Sequence, residues 1–359
     1  MSRDSTIDHL VEKTVVPSFT SIGPRLRRRL FDWRTLESYD LSGQVIVLTG
    51  GTSGIGEAAV SILAGLGATL EVVGRDADKT HGLVERLKGE SGNPAIDAVI
   101  GDLGELDDVR SVAATLAGRH ARIDVLAHNA GALFPKRRRT GDGTDLAVEL
   151  MVAAPFLLTG LLLPRLRGGA AADGDGGGTS AGRTSAGRAS AGRASAGRVL
   201  TMSSGGMYTE PLTVDRLEMS DAEYSGTAQY ARAKRAQVAL NEAWAAHVPP
   251  DEIVFHALHP GWVDTPGINE ALPGFSRVLS PLGLLRTARE GADTLVWLAA
   301  DERALESSGD FWLDREARST HKMDKTRVAD TPERRAALWR WCEMRTGWSM
   351  DGEGDQLST

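Results

Sequence analysis

Tyr230 and Lys234 stand four residues apart within a stretch of helical periodicity, 228–246, so a phenol and an ammonium share one helix face. A free phenol has a pKa of about 10 and exchanges protons sluggishly at neutral pH. A lysine charge nearby favours phenolate and draws that value toward the working range, which is what a general acid/base needs. Ser203 and Ser204 follow the β-rich run 198–202, where a sheet would present a hydroxyl to a ligand. Serines at strand ends are often only turn residues. Beside a Tyr–Lys pair, Ser204 becomes the candidate donor to an oxygen on which charge develops, and Ser203 the weaker choice.

A second group of residues suits a phosphate. Thr49-Gly50-Gly51-Thr52-Ser53-Gly54-Ile55-Gly56 follows the apolar run Val45-Ile46-Val47-Leu48 and opens a helical pattern. Glycines at 50, 54 and 56 let the backbone turn sharply at a strand end and approach a pyrophosphate, with the next helix's amides facing its charge. Read alone, the stretch is equally a plain turn, because its Gly-x3-Gly-x-Gly spacing is not the commoner Gly-x-Gly-x-x-Gly.

Further landmarks extend a nucleotide site. Asp102 and Leu103 follow a strand, and Asp102 could accept from an adenine amine, although Asp there is also a common helix cap. Asn129-Ala130-Gly131 follows the fourth strand, where small residues let a nucleotide lie on the backbone. Pro260 and Gly261 follow the sixth, and the Thr265 hydroxyl just beyond could meet a nicotinamide carboxamide. The second strand ends in Val73-Gly74-Arg75. A dinucleotide without a 2′-phosphate usually meets an acid at that point, whereas a guanidinium suits the phosphate. NADP is therefore expected, with NAD kept as the alternative because Asp76 is adjacent.

These residues need a frame that collects strand ends. Strands are expected over 44–49, 69–74, 96–101, 123–128, 198–202 and 253–258, with helices over 57–65, 78–88, 106–117, 145–166 and 228–246. Such alternation implies an α/β, doubly wound parallel sheet of Rossmann type covered on both faces, with the chemistry at the strands' carboxyl ends. We divide the chain into a partly helical leader (1–41), one Rossmann-type domain (42–330), and a C-terminal helix with a frayed tail (331–359). Residues 168–197 are almost wholly Gly, Ala, Ser, Thr, Arg and Asp, with repeats of Ser-Ala-Gly-Arg from Ser180 onward. With no apolar stripe, this segment is expected to be a disordered, inert insertion.

Composition narrows the partners. A net charge of −7 and a pI near 5.7 argue against a general nucleic-acid binder. Cys342 is the only cysteine, which excludes a disulfide framework or cysteine-based metal site and fits a reducing, cytoplasmic setting. No stretch is expected to span a membrane, and the apolar run 153–163 is taken as a buried helix. The basic segment 25–31 could touch an anionic membrane surface, but a solvated helix is the favoured account.

Taken together, the glycine turn, Asn129-Ala130-Gly131, Ser204, Tyr230-x3-Lys234 and Pro260-Gly261 resemble the short-chain dehydrogenase/reductase family over roughly residues 41–313. The resemblance implies about seven mostly parallel strands, a nicotinamide cofactor, and a homo-oligomer formed through the helices bearing Met151 and Tyr230. It also implies roles: Ser204 orients a carbonyl or hydroxyl, Tyr230 is the acid/base, and Lys234 holds ribose and lowers the Tyr230 pKa. A narrower likeness, to the group called SDR family member 12, is carried by 203–208, 229–237 and 259–267, and by Asp314-Arg315 and Ser319-Thr320-His321.

Two positions depart from the family pattern. His128 replaces the first Asn of Asn-Asn-Ala-Gly, and Met151 stands where the family carries an Asn that holds a water on the proton path from the Lys. A thioether cannot donate that bond. The expected function is hydride transfer between NADP and a carbonyl or secondary alcohol of a lipophilic small molecule, with 264–286 closing over it. The rivals are an NADP(H)-binding scaffold without turnover, and an isomerase, epimerase or dehydratase.

Overall fold

The computed structural model describes residues 3–167, 196–265 and 279–352, with residues 274 and 277 besides. The strands are β1 (Val45–Thr49), β2 (Thr69–Gly74), β3 (Ile96–Ile100), β4 (Val125–His128), β5 (Gly197–Met202), β6 (Ile253–Leu258), β7 (Phe311–Leu313) and β8 (Glu316–Arg318). They form one sheet in the order β3-β2-β1-β4-β5-β6-β7-β8. The first seven pair in parallel and β8 is antiparallel to β7. Strands β4, β5 and β6 are buried at every position, as a sheet covered on both faces requires. Strand order reverses between β1 and β4, and a crevice opens there at the carboxyl ends.

The helices are α1 (Arg3–Lys13), α2 (Val15–Phe19), α3 (Ile22–Leu30), α4 (Gly54–Gly65), α5 (Ala77–Ser91), α6 (Leu106–Arg119), α7 (Leu146–Val148), α8 (Ala154–Leu166), α9 (Gly226–His247), α10 (Ala288–Ala300), α11 (Asp324–Ala329) and α12 (Pro332–Thr346). One apolar core joins a sheet face to α6, α8, α9 and α12, and a second joins the other face to α4, α5 and α10. The C-terminal helix is thus part of the main core, with Trp348 packed against Gly160. The frayed tail expected after Trp348 lies outside the described residues from 353 on.

Several expectations change. β7 and β8 have three residues each, too short for an alternation to register. α10 escapes the periodicity reading, yet its start carries a readable signal: Thr287 and Glu290 form a reciprocal capping box. The single helix expected over 145–166 contains a π-helical segment, Glu149–Ala153, between α7 and α8. Leu146–Leu166 is long and apolar enough to cross a membrane, but 78% of its most apolar window is buried inside the protein. Most of the expected insertion, residues 168–195, lies outside the described residues, while Gly197 already belongs to β5.

The leader differs most. Arg27, in the segment read as a solvated basic helix, is fully buried and bonded to Asp8, Glu12 and Asp314. A buried guanidinium persists only where carboxylates neutralise it, and here they come from both ends of the chain.

Candidate active site

The glycine turn is built to admit a ligand's backbone-hugging phosphates. Gly50 adopts a φ of 70°, and a β-carbon there would meet Ala130 Cα at 2.8 Å. A β-carbon at Gly56 would lie 2.1 Å from the Gly50 carbonyl oxygen, so any side chain would push the turn apart. Ser53 is the N-cap of α4 but makes no side-chain cap bond, leaving the first amides of α4 open to the cleft. Thr49, which leads the motif but was given no role from the sequence, ties two strand ends together. Its Oγ1 accepts from the Asn129 and Ala130 amides, each at 3.1 Å. Asn129 Nδ2 donates to the carbonyls of Thr49 (3.1 Å) and Gly50 (3.0 Å). Asn129 is therefore a strut for the turn as well as part of the cleft wall.

One cleft of about 660 Å³ is lined by every residue of the expected site: Gly50, Thr52–Gly56, Arg75, Asp102, Leu103, Asn129–Gly131, Ser204, Tyr230, Lys234, Pro260, Gly261 and Thr265. Arg75 is exposed at its rim. The neighbouring Asp76 is committed elsewhere, because its carboxylate caps α5 by accepting from the Lys79 amide at 3.0 Å. Asp102 Oδ1 accepts from the Gly104 amide at 2.9 Å, a turn-stabilising role beside its place in the wall. Residues that the sequence did not single out also line the cleft, among them Phe134, Arg138, Thr209 and Trp262.

Helix α9 and strand β5 bring the reactive groups together. Ser204 hydrogen-bonds the Tyr230 phenol and accepts from the Gly206 amide at 3.2 Å. The buried Lys234 ammonium donates to the Met202 carbonyl at 2.7 Å and lies 5.5 Å from the centroid of the Tyr230 ring. Burial pushes Lys234 down to about 7 and pushes Tyr230 up, while the Ser204 bond pulls Tyr230 back. In this arrangement the ammonium is aimed at a carbonyl and over the ring face, and desolvation dominates.

Met151 sits where the sequence placed it, beside the lysine. A β-carbon on Gly131 would meet both Lys234 Nζ and Met151 Sδ at 3.2 Å, and Met151 is fully buried in the π-helical segment. Behind it lies a second cavity of about 20 Å³, whose lining includes His128, Thr159, Thr201, Gln237 and Asn241. That is room for a single water. His128 is a satisfied core residue: Nε2 is 2.8 Å from Thr159 Oγ1, and burial pushes its pKa down to about 3.

Comparison with known proteins agrees with this geometry. A family model described as short chain dehydrogenase matches residues 44–175. Dehydrogenase/reductase SDR family member 12 of Homo sapiens is 34% identical over 282 residues, 78% of this chain and 80% of the relative. Polyprenol dehydrogenase of Homo sapiens is 29% identical over 84% of each chain. Among solved structures, L-sorbose reductase from Gluconobacter frateurii, complexed with NADPH and L-sorbose, shares the fold with a TM-score of 0.56 at 22% identity. That likeness covers 76% of this chain and 95% of the reductase.

Proposed function

From the premise that this chain belongs to the short-chain dehydrogenase/reductase family, as an NAD(P)-binding oxidoreductase acting on CH–OH or C=O groups, we propose that it is an NADP(H)-dependent enzyme for a lipophilic ketone, aldehyde or secondary alcohol. The observation that carries the reading is the convergence of Ser204, Tyr230 and Lys234 in the same cleft as the Gly50–Gly56 turn.

The glycine cradle and the uncapped start of α4 fit a dinucleotide's pyrophosphate. When bound, the cofactor supplies or accepts a hydride. The chain's own residues do the rest. Ser204 donates to the substrate oxygen as charge develops on it. Tyr230 gives that oxygen a proton in reduction and takes it back in oxidation. Lys234, whose side-chain nitrogen lies over the Tyr230 ring, would reach the ribose hydroxyls. Arg75, exposed at the cleft rim, would hold the 2′-phosphate, and Asp76 would not compete because it caps α5. A lipophilic substrate is supported by the apolar share of the wall, including Leu133, Phe134, Leu150 and Trp262, and by the relative named polyprenol dehydrogenase.

The test is consumption of NADPH and of NADH against a panel of long-chain ketones and aldehydes, with affinity for each cofactor measured alongside. Equal use of NADH and NADPH would remove the NADP assignment, and preference for polar sugars would remove the lipophilic one. Met151 motivates a second reading, an NADP(H)-binding scaffold with little turnover. Tight NADPH binding without consumption, and turnover gained in Met151→Asn, would favour it.

A further inference from the structure

The leader, residues 3–30, stands outside the chemistry described so far, yet it is fastened to it. Phe19, at the end of α2, is 3% exposed. Its ring lies against the residue that follows the catalytic serine: a β-carbon on Gly205 would sit 2.7 Å from Phe19 Cε2. The same ring stands edge-on to His259 at 4.5 Å and to Trp262 at 5.9 Å between centroids. The Trp262 amide donates to the Phe19 carbonyl at 2.7 Å. One residue therefore touches both the turn after Ser204 and the turn that brings Pro260 and Trp262 into the cleft.

A buried charge network holds Phe19 there. Arg286 Nη2 donates to the Ser18 carbonyl at 2.7 Å, and Arg286 Nε to those of Phe19 and Thr20 at 3.0 and 3.2 Å. The backbone of Arg286 pairs with the cleft wall, donating to the Trp262 carbonyl at 2.7 Å and accepting from the Asp264 amide at 2.8 Å. Arg27 and Arg286 share Asp314, each at 2.5 Å. Asp314 occupies the β7–β8 turn with a φ of 54°, and Arg315 beside it has a φ of 58°. Such conformations are costly for residues other than glycine and persist when surrounding bonds over-determine them. Asp314 is clamped by the two guanidinium groups, and Arg315 is held by a paired contact to Asp293 at 2.7 and 2.8 Å.

We propose that Phe19, locked in place by Arg27, Asp314 and Arg286, is a positioning residue for the substrate half of the active site. It sets the separation between Ser204 and Trp262 across which the substrate must fit. Burial of Phe19 alone would not need this arrangement, since an apolar side chain packs well against any core surface. What marks it is the pairing of ring contact with the serine turn and backbone bonding to the tryptophan turn. The inference rests on the reductase reading for its kinetic consequence, but not for its structural one.

The test compares wild type, Phe19→Ala and Phe19→Leu. In Phe19→Ala, KM for the carbonyl substrate rises about tenfold or more, the order expected from a small displacement of a reaction wall. NADPH affinity falls by clearly less than KM rises, because the Gly50–Gly56 cradle lies apart from Phe19 even though Pro260, Gly261 and Thr265 lie on the turn it touches. Phe19→Leu recovers most of the loss. Amide hydrogen exchange, read without any substrate, quickens at Trp262, Asp264 and Arg286 in Phe19→Ala while β1 and β4 keep wild-type protection. Unchanged exchange at these three amides overturns the proposal, as does NADPH affinity falling in step with KM. A wild type that turns over nothing in the panel defeats the reductase reading, and the exchange pattern then decides the positioning role alone.

Discussion

At the nucleotide end of the cleft, residues 49–56 form one continuous turn, braced by Asn129 and Ala130 from the next strand over. The substrate end draws instead on Phe19, Arg27, Ser204, Trp262, Arg286 and Asp314, with bonds joining residues up to 287 positions apart. The first end tolerates little change because backbone approaches backbone. The second depends on side chains from distant segments, so its shape can be altered without touching the cofactor cradle. Cofactor binding and substrate fit should consequently separate under mutation.

Three substitutions, read in four measurements, test that contrast. Gly56→Val forces a side chain onto the Gly50 carbonyl, and NADPH binding should fall below detection by calorimetry while far-ultraviolet dichroism still reports a folded chain. Lys234→Met should lower kcat by about 10²-fold, the order of a lost acid–base contribution, measured at saturating NADPH. Arg75→Ser should weaken NADPH by about tenfold and leave NADH within about twofold, since one charge-assisted contact to phosphate is removed. Equal losses for both cofactors would return Arg75 to a purely structural role. The smallest effect is on stability. Lys234 keeps its proton to about 10.5 when unfolded but sheds it near 7 in the buried site. Between those values the unfolded chain binds more protons, so rising pH favours the folded state. The cofactor-free protein should gain thermal stability from Lys234 between pH 7 and 9, and Lys234→Met should flatten that slope.

Legibility in the sequence followed the same division. Tyr230 and Lys234 share a helix, Gly50–Gly56 are contiguous, and Ser204 follows an apolar run, so local periodicity was enough to nominate them. Met151 was nominated by the family resemblance, as the residue standing where the family carries an Asn, and the structure puts it beside Lys234. The direction of the Tyr230 shift was not legible, because it comes from burial of the phenol, which outweighs the Ser204 bond and depends on the folded surroundings. The leader was misjudged for a related reason. Arg27 lies in a run of arginines that reads as a solvated face, and its partner Asp314 is far along the chain, in the turn of a hairpin whose strands have three residues each and give no alternation to read. The start of α10 shows the opposite case, a local signal at Thr287 and Glu290 that periodicity alone overlooked.

The most direct measurement of the central claim is NADPH oxidation by wild type and Tyr230→Phe side by side, on the best ketone or aldehyde found, with NADPH affinity determined on the same samples. Affinity should be equal in the two proteins and kcat should fall about 10²- to 10⁴-fold in the variant, because only the proton donor is gone. Wild-type consumption that survives unchanged in Tyr230→Phe would contradict that claim.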